Sequence, residues 1–150
     1  MTTARVIFAS LTGNNEEIAE FITSELVARG FDALQVEMSQ FNEQDLLQCD
    51  LAVIVPYTYG EGDLPEEGLD LYDALSELNL THLTYAVAGS GDIAYGDDFG
   101  LAVTKFDARL QSTGATRAVA PLLIDLRMDK TDQQRLRQFV AQIQSILERR

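Results

Sequence analysis

Short, nearly continuous apolar runs alternate along this chain with stretches that are apolar on one helical side only. Ala4–Ala9 is apolar except at Arg5, the pattern of a strand buried on both faces. It stops at Ser10-Leu11-Thr12-Gly13-Asn14-Asn15, where small and polar residues signal a turn. Ile18, Ile22 and Leu26 then recur every four residues among Glu16, Glu17, Glu20 and Glu25, which predicts an amphipathic helix closed by Gly30. Phe31–Val36 alternates loosely as a second strand, Asn42–Cys49 reads as a short helix, and Leu51–Val55 is a third strand, apolar throughout. A long acidic loop, Pro56–Glu67, precedes Leu71, Ala74, Leu75 and Leu78 at helical spacing. Leu83–Ala88 is a fourth strand and Gly89–Asp98 a second glycine-rich loop. Phe99, Ala102, Val103, Phe106 and Leu110 mark a helix ending at Gly114. Arg117–Leu126 reads as a fifth strand without a large insertion. Leu136, Phe139, Val140, Ile143, Ile146 and Leu147 give the last helix one apolar face.

The order is strand then helix, five times over, with no repeat, low-complexity tract or linker. Buried strands alternating with one-faced helices imply a parallel sheet covered on both sides. The expected architecture is α/β: a three-layer α/β/α sandwich on a five-stranded parallel sheet in the order 2-1-3-4-5, as a single domain over residues 1–150. Ligands of such sheets bind beyond the carboxyl ends of the strands, where the winding reverses. Three loops are expected to converge there: Ser10–Asn15, Pro56–Glu67 and Gly89–Asp98.

The first loop joins a strand to a helix start, where free N–H groups and the helix dipole attract an anion. Ser10, Thr12, Asn14 and Asn15 add side-chain donors, and Gly13 lets the backbone come close. The loop has neither the Gly-Lys-Ser/Thr of a nucleoside-triphosphate site nor a G-x-G-x-x-G run, and it contains no Lys or Arg. A single phosphate held by neutral donors fits it best; Thr12 or Asn14 acting only as a helix N-cap is the alternative. The second loop carries Tyr57 and Tyr59 and the third Tyr95, so a planar ligand between aromatic rings is expected. Tyr72 and Tyr85 read as ordinary helix and strand residues.

Charge narrows the partners. Eleven Lys plus Arg stand against 24 Asp plus Glu, a net charge of −13 over 150 residues. That disfavours nucleic acid, whose phosphates need clustered bases, and an anionic membrane surface. Residues 30–104 hold fifteen acids and no Lys or Arg, so two of the three ligand loops lie in an acidic half. With one cysteine, Cys49, and one histidine, His82, an intramolecular disulfide, a Cys/His zinc site and a serine triad anywhere His82 cannot reach are excluded. Cys49 reads as a buried hydrophobe, and His82 as a surface residue at the amino end of a strand. No apolar run approaches the roughly 18–20 residues of a membrane span, and the N-terminus carries no signal-peptide core. A cytoplasmic acidic protein is expected.

At the three loops the sequence resembles the short-chain bacterial flavodoxins, small carriers of flavin mononucleotide (FMN), and the likeness runs over essentially the whole chain. Ser10-Leu11-Thr12-Gly13-Asn14-Asn15 is similar to their phosphate loop. Asn15 stands where threonine is common, which leaves two readings: one hydroxyl-to-phosphate bond is missing here, or an amide contact replaces it. Tyr57-Thr58-Tyr59-Gly60-Glu61-Gly62-Asp63 resembles the loop covering one flavin face, with Tyr59 where tryptophan is frequent. Gly89-Ser90-Gly91-Asp92 with Tyr95 resembles the loop whose backbone meets the pyrimidine edge and whose tyrosine stacks on the other face. Flavodoxins are themselves a standing example of the 2-1-3-4-5 winding, with FMN at its switch point.

The resemblance implies a low-potential one-electron carrier with non-covalent FMN, electron-transfer activity, and no substrate of its own. The Gly60 peptide is then free to flip and offer its carbonyl to the one-electron-reduced flavin. Implied partners are a flavodoxin/ferredoxin-NADP reductase-type donor and basic-faced redox acceptors, with the carrier a monomer. An FMN-dependent NAD(P)H:quinone-type reductase on the same fold is the competing reading; Tyr59 and Tyr95, poised as covers, argue against it. A phosphoryl-accepting receiver domain would want an aspartate ending strand three and a lysine ending strand five, and has neither.

Overall fold

Alternate residues of each central strand enter opposite cores. In the computed structural model, which describes residues 2–9, 13–57, 68–91, 100–125 and 127–149, β1 (Thr3–Phe8), β2 (Asp32–Glu37), β3 (Leu51–Val55) and β4 (Thr84–Gly91) run parallel in the order β2-β1-β3-β4. Val6, Phe8, Val53, Val55, Ala86 and Ala88 face one core, closed by α1 (Asn14–Ala28) and α4 (Lys130–Glu148). Ile7, Ala9, Ile54, Tyr85 and Val87 face the other, closed by α2 (Leu69–Leu75) and α3 (Leu101–Ser112). Period two in β1, β3 and β4 thus supplies both interiors, which is why these strands read as unbroken apolar runs.

The three-layer sandwich and the 2-1-3-4-5 order are as expected, and two elements, the fourth and fifth strands, differ from the sequence reading. The short helix expected over Asn42–Cys49 is a 3₁₀ helix, Glu43–Leu47, preceded in the β2–β3 connection by another, Met38–Gln40. The Asn42 side chain accepts from the Gln44 N–H at 3.0 Å, a local bond that closes a tight turn and competes with α-helix. The fifth strand, expected over Arg117–Leu126, is split into β5 (Thr116–Arg117) and β6 (Leu122–Asp125), both paired to β4. Pro121 lies in the break, where it has no N–H to give the ladder. Finally, β4 runs on to Gly91, so Gly89, Ser90 and Gly91 are strand residues, paired with Leu123, Ile124 and Asp125.

Asp129 caps α4 by accepting from the Asp132 N–H at 2.8 Å, and the Asp132 carboxylate accepts the Asp129 N–H in return. Among the described residues no helix is long and apolar enough to cross a membrane.

Candidate functional site

The carboxyl ends of β1, β3 and β4 lie side by side: Phe8 is in register with Val55, and Ile54 with Val87. Just past them the chain is joined three ways. The Ala9 N–H donates to the Val55 carbonyl at 3.0 Å, tying the root of the first loop to that of the second. Gly89 packs so closely on Pro56 that a Cβ there would stand 2.4 Å from the Pro56 carbonyl oxygen, drawing the second loop's root onto β4. Asn15 supplies the third link. Its Nδ2 donates to the Ala9 carbonyl at 2.9 Å, and its Oδ1 accepts from the Ser90 N–H and the Ser90 hydroxyl, both at 2.8 Å.

Helix α1 starts at this edge, with Gly13 as its N-cap residue at φ 92°. The N-cap is therefore neither Thr12 nor Asn14; Gly13 has no side chain to act as capping acceptor. Nothing lies within 4 Å of where a Gly13 Cβ would be. The left-handed φ explains glycine at this position, since a Cβ would be strained whatever the space. Asn14 is half-buried beside it. Glu17, in the first turn, accepts two bonds from Arg127 at 3.1 Å each, joining α1 to the chain after β6. The Arg127 side chain is 74% exposed, so this pair contributes little stability.

Of the residues expected to hold a ligand, the structure therefore brings together Gly13, Asn14, Asn15, Ser90 and Gly91. Ser10, Leu11, Thr12, Thr58, Tyr59, Gly60, Glu61, Gly62, Asp92 and Tyr95 lie outside the described residues. The Asn15 residue is fully buried, and its amide is turned inward onto Ala9 and Ser90. The sequence places Gly89 and Pro56 at the heads of the third and second loops; the structure adds that they are in direct contact, the close backbone approach that a glycine inside a strand marks.

The chain's other reactive groups stand apart from this edge. Cys49 is 2% exposed at the amino end of β3, and burial pushes its thiol up from 9.0 to about 11, which makes it inert at neutral pH. His82, exposed before β4, places Nε2 3.0 Å from the Leu46 carbonyl. Tyr85 is buried, with its hydroxyl donating to the Asp107 carbonyl at 3.3 Å; desolvation, and then the Asp107 charge, raise it to about 12. Tyr72 meets Phe106 edge-on, 5.3 Å between ring centres. Among the described residues no three His, Cys, Asp or Glu side chains gather as a metal site.

The winding and this edge have a counterpart among known proteins: the family model for flavodoxins matches residues 6–139. The chain belongs to the flavodoxin family. It is 36% identical over 126 residues to probable flavodoxin 1 of Bacillus subtilis (strain 168), covering 84% of this chain and 79% of that one. A short-chain flavodoxin associated with an atypical PDU bacterial microcompartment superposes with a TM-score of 0.95 at 40% identity, over 97% of this chain and 99% of that one. The sulfite reductase [NADPH] flavoprotein alpha-component of Shewanella sp. (strain MR-7) is 32% identical over 124 residues, 81% of this chain and 20% of that longer protein. Flavodoxins are FMN-binding electron carriers. The described residues fit that group at one point in particular: α1 begins at this edge with a glycine, Gly13, and nothing lies within 4 Å of where its Cβ would be, which leaves space at the helix N-terminus for a phosphate.

Proposed function

We propose that this protein is a low-potential one-electron carrier using non-covalently bound FMN, a single domain working as a cytoplasmic monomer with no substrate of its own. The observation that carries the reading is the joining of three loop roots at one sheet edge, around the N-terminus of α1. Bound FMN supplies the redox chemistry. The protein's part is to hold and enclose it. Ser10, Thr12 and Asn14, with the Gly13 backbone, hold the phosphate; Tyr59 and Tyr95 cover the ring faces and exclude water. Gly60 and Glu61 line one edge, and Gly91 and Asp92 meet the pyrimidine side. The acids that the sequence puts on the second and third loops oppose any gain of negative charge on the bound group, which keeps the potential low.

The donor is a flavodoxin/ferredoxin-NADP reductase-type protein and the acceptors present basic faces. Supporting this pairing, a segment related to this chain is built into the NADPH sulfite reductase flavoprotein component. The test is an absorbance spectrum of the purified protein with an FMN titration, followed by addition of NADPH alone. Flavin bands, stoichiometric FMN uptake and no NADPH consumption are expected. A colourless protein that ignores FMN would refute the carrier, and steady NADPH oxidation by the isolated protein would replace it with the reductase.

A further inference from the structure

We infer that Asn15 is a positioning residue, clamping the phosphate-side loop to the ring-side strand β4, and is not itself a phosphate ligand; this rests on the carrier reading above. Asn15 is fully buried and Ser90 is 1% exposed, so neither side chain reaches solvent. The three bonds of the Asn15 amide span 75 residues of sequence on the Ser90 side and only six on the Ala9 side. Their chemistry also sets the amide's orientation. One end meets a backbone N–H, which only donates, and the other a backbone carbonyl, which only accepts. A flipped amide would oppose like to like at both. Both lone pairs of Oδ1 are taken by the Ser90 N–H and hydroxyl, leaving that oxygen no further role.

The clamp crosses between the two halves of a flavin site. On one side it holds Ala9, the last residue before Ser10 and the phosphate loop. On the other it holds Ser90, one residue before Gly91 and two before Asp92. Without it, Ala9 loses a donor while the Ser90 N–H and hydroxyl lose an acceptor, all in a buried place where each unmade bond is costly. A serine or threonine hydroxyl at position 15 is a single oxygen and cannot occupy both ends of this span as an amide does.

The experiment measures binding of FMN and of riboflavin, by quenching of flavin fluorescence, for wild type, Asn15→Ala, Ser90→Ala and the double variant, each apoprotein first shown to be folded by circular dichroism. A positioning role weakens both ligands: about tenfold or more for Asn15→Ala, which orphans two backbone groups, and less for Ser90→Ala, which keeps the backbone bond. The double variant should lose less than the product of the two singles, because they share one interaction. If Asn15→Ala fails to fold, the milder Ser90→Ala carries the same comparison. Loss of FMN affinity with riboflavin unchanged would make Asn15 a phosphate ligand and overturn the clamp. Lower apoprotein stability with both affinities unchanged would reduce it to a packing contact and also overturn it. A wild-type protein that takes up neither flavin would instead overturn the carrier reading, and the clamp with it.

Discussion

Gly89→Ala should be among the most damaging single-atom additions this protein can receive. The new methyl would stand 2.4 Å from the Pro56 carbonyl oxygen and 2.9 Å from Val103 Cγ2. Ordinary contact begins at 3.4 Å, so about 3.4 − 2.4 = 1.0 Å of movement is needed on the Pro56 side. Neither neighbour yields easily. One is the backbone of a proline following fully buried Val55; the other is a β-branched side chain on α3 with no exposed surface. Overpacking of a rigid core costs about 1–3 kcal/mol, and with two stiff neighbours the upper part of that range applies, about 2–3 kcal/mol. For a chain of this size that lowers Tm by about 5–10 °C, readable by thermal circular dichroism. Val103→Ala removes one of the two clashes, so it should cost less in the Gly89→Ala background than in wild type, a coupling of about 0.5 kcal/mol or more. FMN affinity should fall as well, since Pro56 leads directly into the second loop. A Tm within about 2 °C of wild type would mean that the ends of β3 and β4 have room to part, and the close-approach reasoning would be wrong.

Other outcomes test different forces. Gly13→Ala meets open space but at φ 92°, so the cost is conformational alone, about 1–2 kcal/mol in urea unfolding, and a wild-type midpoint would refute it. Because burial raises Cys49 from 9.0 to about 11 and Tyr85 from 10.0 to about 12, the unfolded chain gives up these protons first. Their contribution to stability is complete below pH 9 and drains away as pH climbs through 9–12. Cys49→Ala should flatten the lower part of that decline in urea melts, and native Cys49 should ignore a thiol reagent at pH 8; rapid labelling would contradict its burial. The acidic, base-free stretch 30–104 should steer basic partners, so stopped-flow reduction by a flavodoxin reductase should slow as salt rises and in Glu66→Gln/Glu67→Gln. A rate blind to both leaves those charges no role beyond solubility.

What the sequence determined by itself is what local pattern can carry. Leu51–Val55 could only be a strand buried on both faces, and Ile18, Ile22 and Leu26 could only be one face of a helix. Gly30 and Gly114, at φ 91° and 88°, end their helices as glycine predicts. The alternation of such elements leaves few windings to choose from, and the winding leaves one edge for a ligand. The tertiary structure decided whatever depends on a partner far along the chain. Gly89-Ser90-Gly91 looks like a loop by composition and is a strand because β6 lies beside it to accept the pairing. Asn15, on a phosphate-type loop, looks like a phosphate donor; it is turned inward because Ser90, 75 residues away, brings two donors to its oxygen. Gly89 is required by a carbonyl at Pro56 that no spacing rule could locate. Periodicity is a property of neighbours in sequence, whereas hydrogen-bond complementarity and close packing belong to neighbours in space, which exist only once the sheet has formed.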